Sequence, residues 1–326
     1  MIVVRSPLRI SISGGATDLP SFYKEYGGVC ISAAINKYVY TLINRPLQER
    51  IILKYSELEN VKSVQEIKNP IIKECMKLFD FNTPQIEIVT CADAPSSSGL
   101  GGSSSFTCSL IKALFSHKNI HISAEEIAKL ACDIEINKLG GNLGKQDQYI
   151  SSYGGIQYMQ FNPDDSVNIS PLNITYDKML ELQDSMLLFF TGYTHSTNDI
   201  LKDQVEKTQS NDKNMIENLL NVKRMALEGK RLLESGDIYG YGKLTHEHWM
   251  NKRERSAGMS SETIDELYFE GLKNGAIGGK LVGSGGSGGF LLFIANDQAK
   301  LRQRMKSIGL EELRFTFDFE GCKRMV

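Results

Sequence analysis

The sequence predicts an α+β fold of two domains, residues 1–175 and 176–326. Three observations lead to this prediction. The chain has 326 residues, which is enough for two domains with separate cores. Strand and helix patterns are mixed throughout the first half. The second half begins with an apolar strand pattern at 185–190 and continues with long helical patterns.

The first half alternates short apolar strands with amphipathic helices. Ser123 and Glu126 have the spacing of a capping box, which predicts a helix from there to about Leu139. Alternating apolar residues predict strands near 2–5, 9–13, 29–35, 38–44, 51–55, 155–161 and 167–171, and apolar periodicity predicts helices near 70–79 and 102–115.

The second half is predicted to be richer in helix. Helical patterns cover 213–235, 236–255, 262–274 and 297–307, and strand patterns cover 290–295 and 314–319. No apolar run approaches the ~20 residues that a membrane-spanning helix requires. No linker of low complexity marks the boundary near residue 175.

Composition restricts the possible partners. A formal net charge of −2 provides no general positive field, so nucleic acid and an anionic membrane are not expected as main partners. The six cysteines show no CxxC spacing, so neither a zinc site nor a disulfide framework is indicated. The N-terminus resembles a strand rather than a signal peptide, and we therefore expect a cytoplasmic protein.

A loop rich in glycine and serine is the strongest functional signal. A strand pattern at 85–91 precedes it and a helical pattern follows, an arrangement that favours a phosphate-binding loop over a flexible linker. Neither the Walker motif nor the protein-kinase motifs occur in the chain. The residues expected at nucleotide phosphates are Pro95, Ser97, Ser98, Gly99, Leu100, Gly101, Gly102, Ser103 and Ser104.

A second glycine run, 283–289, contains the spacing GxGxxG. A dinucleotide-binding fingerprint needs a strand before the glycines and a helix after them. Here a helix and a loop are predicted before the run and a strand after it, so we interpret it as a turn from helix to strand. Gly285 and Gly286 would bring its backbone close to a ligand, although a tight turn alone also requires glycine.

Three carboxylates are candidates for chemistry. Asp18 follows two glycines and Thr17, where it could accept bonds from sugar hydroxyls or cap the helix that begins near Pro20. On a helical net Glu135 falls among small and apolar residues, so its buried carboxylate would need a partner such as a metal ion on ATP phosphates. Asp147 follows a glycine-rich break and could enter a cleft. An ordinary salt bridge is the alternative for the last two.

The glycine-rich segments, in this order, resemble those of the GHMP small-molecule kinases, which include galactokinase, homoserine kinase and mevalonate kinase. The resemblance implies a GHMP-kinase-like fold with the active site in the cleft between two domains, and ATP and Mg²⁺ as cofactors. It implies that Ser103 and Glu135 bind the metal, that Asp147 activates the acceptor hydroxyl and that Arg9 pairs with Asp147. It also implies a sugar-binding role for Asp18, whereas Gly15 and Ala16 depart from the galactokinase pattern.

Within that family, the chain most resembles the kinases that phosphorylate D-glycero-D-manno-heptose 7-phosphate at its anomeric hydroxyl. The resemblance lies in segments 14–22, 99–104 and 144–149 and in the pair Lys252 and Arg253, which follows Trp249 by three residues. The resemblance implies a role in GDP-heptose and surface polysaccharide synthesis. The phosphate of such a substrate requires basic side chains away from the ATP site, and Lys145, His195, Lys252 and Arg253 are the candidates. The alternative is that they form a solvent-exposed charged face. A fucose- or galactose-type sugar kinase and a non-catalytic nucleotide-binding regulator stay open as alternatives. The substrate-binding candidates are Gly14, Gly15, Thr17, Asp18, Lys145, His195, Lys252, Arg253, Gly285 and Gly286.

Overall fold

The computed structural model describes residues 1–79, 85–192 and 198–326, without the side chain of Asn198. The described strands of the first half form one sheet, which a short C-terminal strand joins. Its strands are β1 (Ile2–Ser13), β2 (Gly28–Asn44), β3 (Ile51–Lys54), β4 (Leu58–Val61), β5 (Ile86–Ala92), β6 (Ile156–Phe161), β7 (Val167–Pro171) and, last in the chain, β12 (Lys323–Arg324). The order is β12-β1-β2-β5-β3-β4, and β6 pairs with β2 and β7.

Strand β2 organises this sheet because it has two partners along one edge. Its first half pairs with β6 and its second half with β5, while β1 runs antiparallel along the other edge. The helices of the first half are α1 (Pro20–Tyr26), α2 (Pro70–Met76), α3 (Gly102–His117), α4 (Ala124–Cys132) and α5 (Gln146–Tyr153), with a 3₁₀ turn at Val64–Glu66 and a π-helix at Asp133–Lys138.

The second half forms a smaller antiparallel sheet in the order β11-β8-β10-β9. Its strands are β8 (Met186–Phe190), β9 (Ala276–Leu281), β10 (Phe290–Ala295) and β11 (Glu311–Glu312). Its helices are α6 (Tyr176–Ser185), α7 (Asn198–Gln209), α8 (Lys213–Ser235), α9 (Ile238–Arg253), α10 (Glu262–Lys273) and α11 (Gln298–Ser307). In the part of the chain that the structure describes, no helix has the length and apolar character needed to cross a membrane.

One apolar core joins the two sheets. It contains Ile10 and Ile31 from the first sheet together with Leu188 and Leu292 from the second, and it continues into α8 and α9. Buried apolar surface therefore holds the two halves together, and the boundary near residue 175 stays a prediction.

The structure corrects several sequence expectations. The strands predicted at 2–5 and 9–13 are one strand, as are those at 29–35 and 38–44. The helix predicted to end near Leu139 changes to a π-helix after Cys132. The strand predicted at 314–319 is wrong, because the chain there makes only a single bridge between Phe317 and Ile35.

The second glycine run connects two strands rather than a helix and a strand. Strand β9, which the sequence analysis missed, precedes the run and pairs antiparallel with β10 after it. Glycines at positions 278 and 279 hid the strand pattern of β9. A dinucleotide-binding fingerprint is still excluded, because no helix follows the glycines.

Candidate active site

A cavity of roughly 350 Å³ lies where the two halves of the chain meet. The ends of β1 and β9 reach it, together with the loop before α3, the first turn of α5 and the last turns of α9. Its walls contain Arg9, Ser11, Gly15, Ala16, Asp18, Leu19, Ser97, Ser98, Gly99, Gly101, Gly102, Ser103, Ser104, Leu143, Gly144, Gln146, Asp147, Leu201, Gln204, His248, Lys252, Arg255, Lys280, Leu281, Gly283 and Ser284.

The serine and glycine residues before α3 form one wall. Gly101 is the N-cap residue in the left-handed conformation, and the helix begins at Gly102. The first turn of any helix leaves backbone N–H groups without intrahelical partners, and the helix dipole makes that end positive. Pro95 and Leu100 do not line the cavity, since the Leu100 side chain belongs to the apolar core. This wall can bind an anion.

The two glycine loops pack backbone against backbone. Gly99 has φ +86°, and a Cβ atom there would lie 2.5 Å from the carbonyl oxygen of Val282. A Cβ atom on Gly283 would lie 2.7 Å from the Cα atom of Gly99. Only glycine permits this approach, which joins the loop before α3 to the turn between β9 and β10.

Arg9 and Asp147 form a bidentate ion pair in the cavity. The Arg9 Nε and Nη2 atoms donate to the two Asp147 carboxylate oxygens at 2.7 and 2.6 Å. Arg9 lies on β1, Asp147 lies in the first turn of α5, and Arg9 Nη1 also donates to the carbonyl oxygen of Gly99. The guanidinium group therefore fixes the carboxylate next to the glycine-rich loop.

A buried carboxylate lies behind this loop. Ser103 Oγ donates to Glu135 Oε1 at 2.8 Å, and Gln148 Nε2 donates to Glu135 Oε2 at 2.7 Å. Burial raises the pKa of Glu135, and the hydrogen bonds from Ser103 and Gln148 act in the opposite direction. The sequence analysis missed Gln148, for which α5 gives no distinctive local signal.

Asp18 lies at the cavity wall and does not cap α1. The N-cap residue of α1 is Leu19, which makes no side-chain capping bond. The Asp18 carboxylate instead accepts hydrogen bonds from the backbone N–H groups of Ala16 and Gln146, each at 3.1 Å. Burial raises the pKa of this carboxyl group to about 6.

The opposite wall carries buried basic residues, and most of them were missing from the sequence-based candidates. Lys252 comes from the end of α9, Arg255 lies two residues beyond that helix, Lys280 comes from β9, and each is less than 9% exposed. His248 lies one turn before Lys252 and is also buried. In the helical pattern predicted to residue 255, positions 248, 252 and 255 fall on one face, which is the signal that could have identified Arg255 and His248.

The ionisation of this basic wall is strongly perturbed. Burial, followed by the neighbouring cations, lowers the pKa of Lys280 to about 7 and holds the pKa values of His248 and Lys252 well below their ordinary ranges. Burial also lowers the pKa of Arg255 to about 10. Two causes therefore act together on this wall, because the basic side chains are removed from water and lie close to one another.

Two basic residues expected at the substrate lie outside the cavity wall. The Lys145 ammonium group binds Asp165 Oδ1 at 2.9 Å and lies over the ring of Tyr23. Arg253 pairs with Asp265. Adjacent helical residues point about 100° apart, so a helix that directs Lys252 into the cavity directs Arg253 away from it. His195, also a candidate, lies outside the described residues.

Some other candidates shape the site without lining it. Thr17 Oγ1 lies 2.9 and 2.8 Å from the carbonyl oxygens of Gly14 and Val29 and donates its one proton to either of them, which stabilises the turn that carries Asp18. Gly286 donates its N–H to the carbonyl oxygen of Met259. Gly14, Thr17, Gly285 and Gly286 therefore support the loops rather than the cavity surface.

Comparison with known proteins identifies the family. The family models for the N-terminal and C-terminal domains of GHMP kinases match residues 70–155 and 230–309. The chain is 30% identical to D-glycero-alpha-D-manno-heptose 7-phosphate kinase of Campylobacter jejuni, over 99% of this chain and 98% of that protein. The chain belongs to the GHMP kinase family. The predicted family, its mixed two-domain fold and the prediction of a kinase are thus confirmed.

Two further proteins are similar to this GHMP kinase. A crystal structure of a D-glycero-D-manno-heptose 1-phosphate kinase from Bacteroides thetaiotaomicron matches with a TM-score of 0.82 and 25% identity, over 100% of this chain and 99% of that one. The bifunctional fucokinase/GDP-fucose pyrophosphorylase of Arabidopsis thaliana is 28% identical, over 93% of this chain and 31% of that protein.

Proposed function

We propose that this GHMP kinase transfers the γ-phosphoryl group of ATP to the anomeric hydroxyl of D-glycero-D-manno-heptose 7-phosphate and forms the 1,7-bisphosphate. The observation that carries the proposal is the Arg9–Asp147 ion pair, which faces the same cavity as the glycine-rich loop. The 30% identity over the full chain to a kinase named for this substrate supports the choice of sugar. The product would serve GDP-heptose synthesis in the cytoplasm.

Asp147 is the residue proposed to act on the acceptor hydroxyl. Its carboxylate is held by two Arg9 donors, so one orientation is fixed before the substrate binds. In phosphoryl transfer a carboxylate of this kind orients the hydroxyl and accepts its proton. The link from Arg9 to the Gly99 carbonyl keeps this carboxylate close to the loop that would bind the nucleotide.

The loop and the first turn of α3 are proposed to bind the ATP phosphates. Backbone N–H groups at a helix N-terminus favour phosphate oxygens, and Ser97, Ser98 and Ser104 line the same surface. GHMP kinases use ATP as the phosphate donor. The transferred phosphoryl group would thereby approach Asp147 from the loop side.

The residues present fit Mg²⁺. The Glu135 carboxylate is buried with no cation among its hydrogen-bond partners, and the Ser103 hydroxyl group that contacts it would add a second oxygen ligand. Among the described residues no cluster of three or more His, Cys, Asp or Glu could hold a metal. Mg²⁺ in kinases is commonly bound by one or two protein oxygens together with substrate phosphates and water. When bound, Mg²⁺ neutralises phosphate charge.

Asp18 is proposed to bind hydroxyl groups of the sugar. Its carboxylate oxygens each accept one backbone N–H and have remaining lone pairs that can accept sugar hydroxyls. Because Asp18 and Asp147 line the same cavity, the acceptor would lie between them.

The test is ADP release with ATP, Mg²⁺ and a panel of D-glycero-D-manno-heptose 7-phosphate, the corresponding 1-phosphate, mannose 6-phosphate, fucose, galactose and homoserine. We expect selective turnover of the heptose 7-phosphate. Phosphorus NMR of the product should show the new phosphate on the anomeric carbon. Turnover of the 1-phosphate alone would show that the sugar already carries its phosphate at the anomeric position and accepts the new one elsewhere, and no turnover of any compound would contradict the proposal.

A fucose-type kinase is the second candidate, because the Arabidopsis relative carries that name. Unphosphorylated fucose would leave the basic wall without an anion. Preferential turnover of fucose in the panel would favour this candidate over the heptose phosphate.

A further inference from the structure

We propose that His248, Arg255 and Lys280 form a second anion site in the cavity, which binds the phosphate that the acceptor sugar already carries. This inference rests on the proposed function, because it assumes a phosphorylated acceptor. Lys252 lies between this site and the glycine-rich loop.

The charge balance of the cavity is the first argument. Four lysine and arginine side chains line it, Arg9, Lys252, Arg255 and Lys280, against two carboxylates, Asp18 and Asp147. Arg9 already pairs with Asp147. Among the ion pairs of the described residues, none includes Lys252, Arg255 or Lys280. Buried cations without counter-ions are costly, and a phosphate dianion would offset that cost.

The hydrogen bonds of these residues are the second argument. Lys280 Nζ donates to the carbonyl oxygen of Ile12 at 2.7 Å, and Arg255 Nε donates to Asn218 Oδ1 at 2.9 Å. These neutral partners fix the side chains and leave their positive charge uncompensated. The Arg255 Nη2 atom and both ring nitrogens of His248 are buried and without a partner in the described residues.

The position of these donors is the third argument. Lys280 is anchored to β1 three residues beyond Arg9, and Arg255 is anchored to α8 through Asn218. Neither anchor belongs to the glycine-rich loop. Lys252 differs, because its Nζ atom donates to the carbonyl oxygens of Leu281 and Gly283, and Gly283 packs on Gly99 of that loop. The site therefore lies on the acceptor side, with Lys252 at its border.

The donor chemistry fits a phosphate monoester. An arginine fork binds two phosphate oxygens at once, and a lysine adds a compact positive charge. His248 can donate one further hydrogen bond from a ring nitrogen. Together they match the three terminal oxygens of the phosphate group.

The first experiment titrates inorganic phosphate by calorimetry into the full-length protein saturated with Mg²⁺ and a non-hydrolysable ATP analogue, so that the loop is already filled. We expect saturable binding that weakens at least about tenfold in Arg255→Gln and in Lys280→Met, since each removes a buried charged partner. The matched control is Lys243→Gln, which removes an exposed lysine of α9 and should bind phosphate like the wild type. Binding that is absent, or equal in all four proteins, would overturn the proposal.

Steady-state kinetics separate the acceptor phosphate from the ATP phosphates. We expect Arg255→Gln to raise KM for the heptose 7-phosphate by about 10- to 100-fold with little change in KM for ATP. A rise in KM for ATP alone would overturn the inference and assign these cations to the nucleotide. Arg255→Lys, which keeps the charge but loses the fork, should be intermediate, and it replaces Arg255→Gln if that variant does not fold.

The two proposals can fail separately. Phosphate binding that depends on Arg255, in a protein that does not phosphorylate the heptose 7-phosphate, would contradict the proposed function and leave the anion site standing. Turnover of the heptose 7-phosphate with unchanged KM in Arg255→Gln and Lys280→Met would support the proposed function and contradict the second anion site.

Discussion

The wall formed by β1, α3 and α5 and the wall formed by α9 and β9 differ in how their charges are compensated. On the first wall, Arg9 and Asp147 neutralise each other, whereas Glu135 accepts hydrogen bonds from the neutral side chains of Ser103 and Gln148. On the second, the basic side chains donate to carbonyl and amide oxygens, which carry no negative charge. The Arg9–Asp147 pair is therefore in place before any ligand binds, whereas the cations of the second wall have no ion-pair partner among the described residues until an anion binds.

The largest loss of activity is expected from a substitution on the first wall. Asp147→Asn keeps the shape of the side chain but removes the proton acceptor, so we expect kcat to fall by about 10²- to 10⁴-fold. Turnover and thermal unfolding of the variant are the measurements. Asp184→Asn, an exposed site on α6, is the control and should behave like the wild type. Near-normal turnover of Asp147→Asn would remove Asp147 from the mechanism.

Glu135→Gln tests the metal assignment on the same wall. The amide can still meet Ser103, but it lacks the charge that favours a divalent cation, so we expect activity at limiting Mg²⁺ to fall by about 10- to 100-fold. ADP release is measured against Mg²⁺ concentration, together with the stabilisation that ATP gives with and without Mg²⁺. Asp133→Asn, two residues earlier and more exposed, should leave both curves unchanged. An unaltered Mg²⁺ requirement in Glu135→Gln would contradict the assignment.

Because the cations of the second wall have no ion-pair partner among the described residues, KM for the heptose 7-phosphate should depend on pH. In the free protein the pKa of Lys280 is about 7, because burial and the cations Arg9 and Arg255 oppose its protonation, with Cys30 acting in the other direction. Phosphate binding favours the charged ammonium group, so KM for the heptose 7-phosphate should rise as pH increases above 7, by at most about tenfold per pH unit.

Lys280→Met should flatten this pH profile, and an unchanged profile in that variant would contradict the role of Lys280. The same group also affects stability. Between pH 7 and 10.5 the unfolded chain holds the proton that the folded protein has lost, so this lysine makes the ligand-free protein more stable as pH rises through that range.

The smallest change in stability and activity is expected from a substitution just outside the cavity. Arg253 pairs with Asp265 at a partly exposed position, so Arg253→Gln should change the free energy of unfolding by no more than about 1 kcal/mol and leave KM for the acceptor unchanged. Chemical denaturation and steady-state kinetics measure both quantities beside Arg255→Gln. An increase in KM equal to that of Arg255→Gln would show that the two residues act alike and would contradict the placement of Arg253 outside the cavity.

Local patterns in the sequence predicted the features that depend on near neighbours. The capping box of Ser123 and Glu126 forms as expected. The strand, glycine-rich loop and helix around Gly101 also follow the prediction. Glu135 is buried, although the net that predicted it assumed an α-helix and the segment is a π-helix. Periodicity and capping are properties of a few consecutive residues, so a single chain reveals them.

Tertiary structure decided which charged residues share the cavity. Lys280 reaches it only because β9 pairs with β10 and its ammonium group meets the carbonyl of Ile12, 268 residues away in the chain. The packing of α9 against β9 likewise fixes which face of that helix points inward, and it places Lys252 but not Arg253 in the cavity. The sequence determined the residue types and the local elements that could bind phosphate. Packing between distant segments determined which charges were compensated, because burial and ion pairing depend on separation in space rather than along the chain.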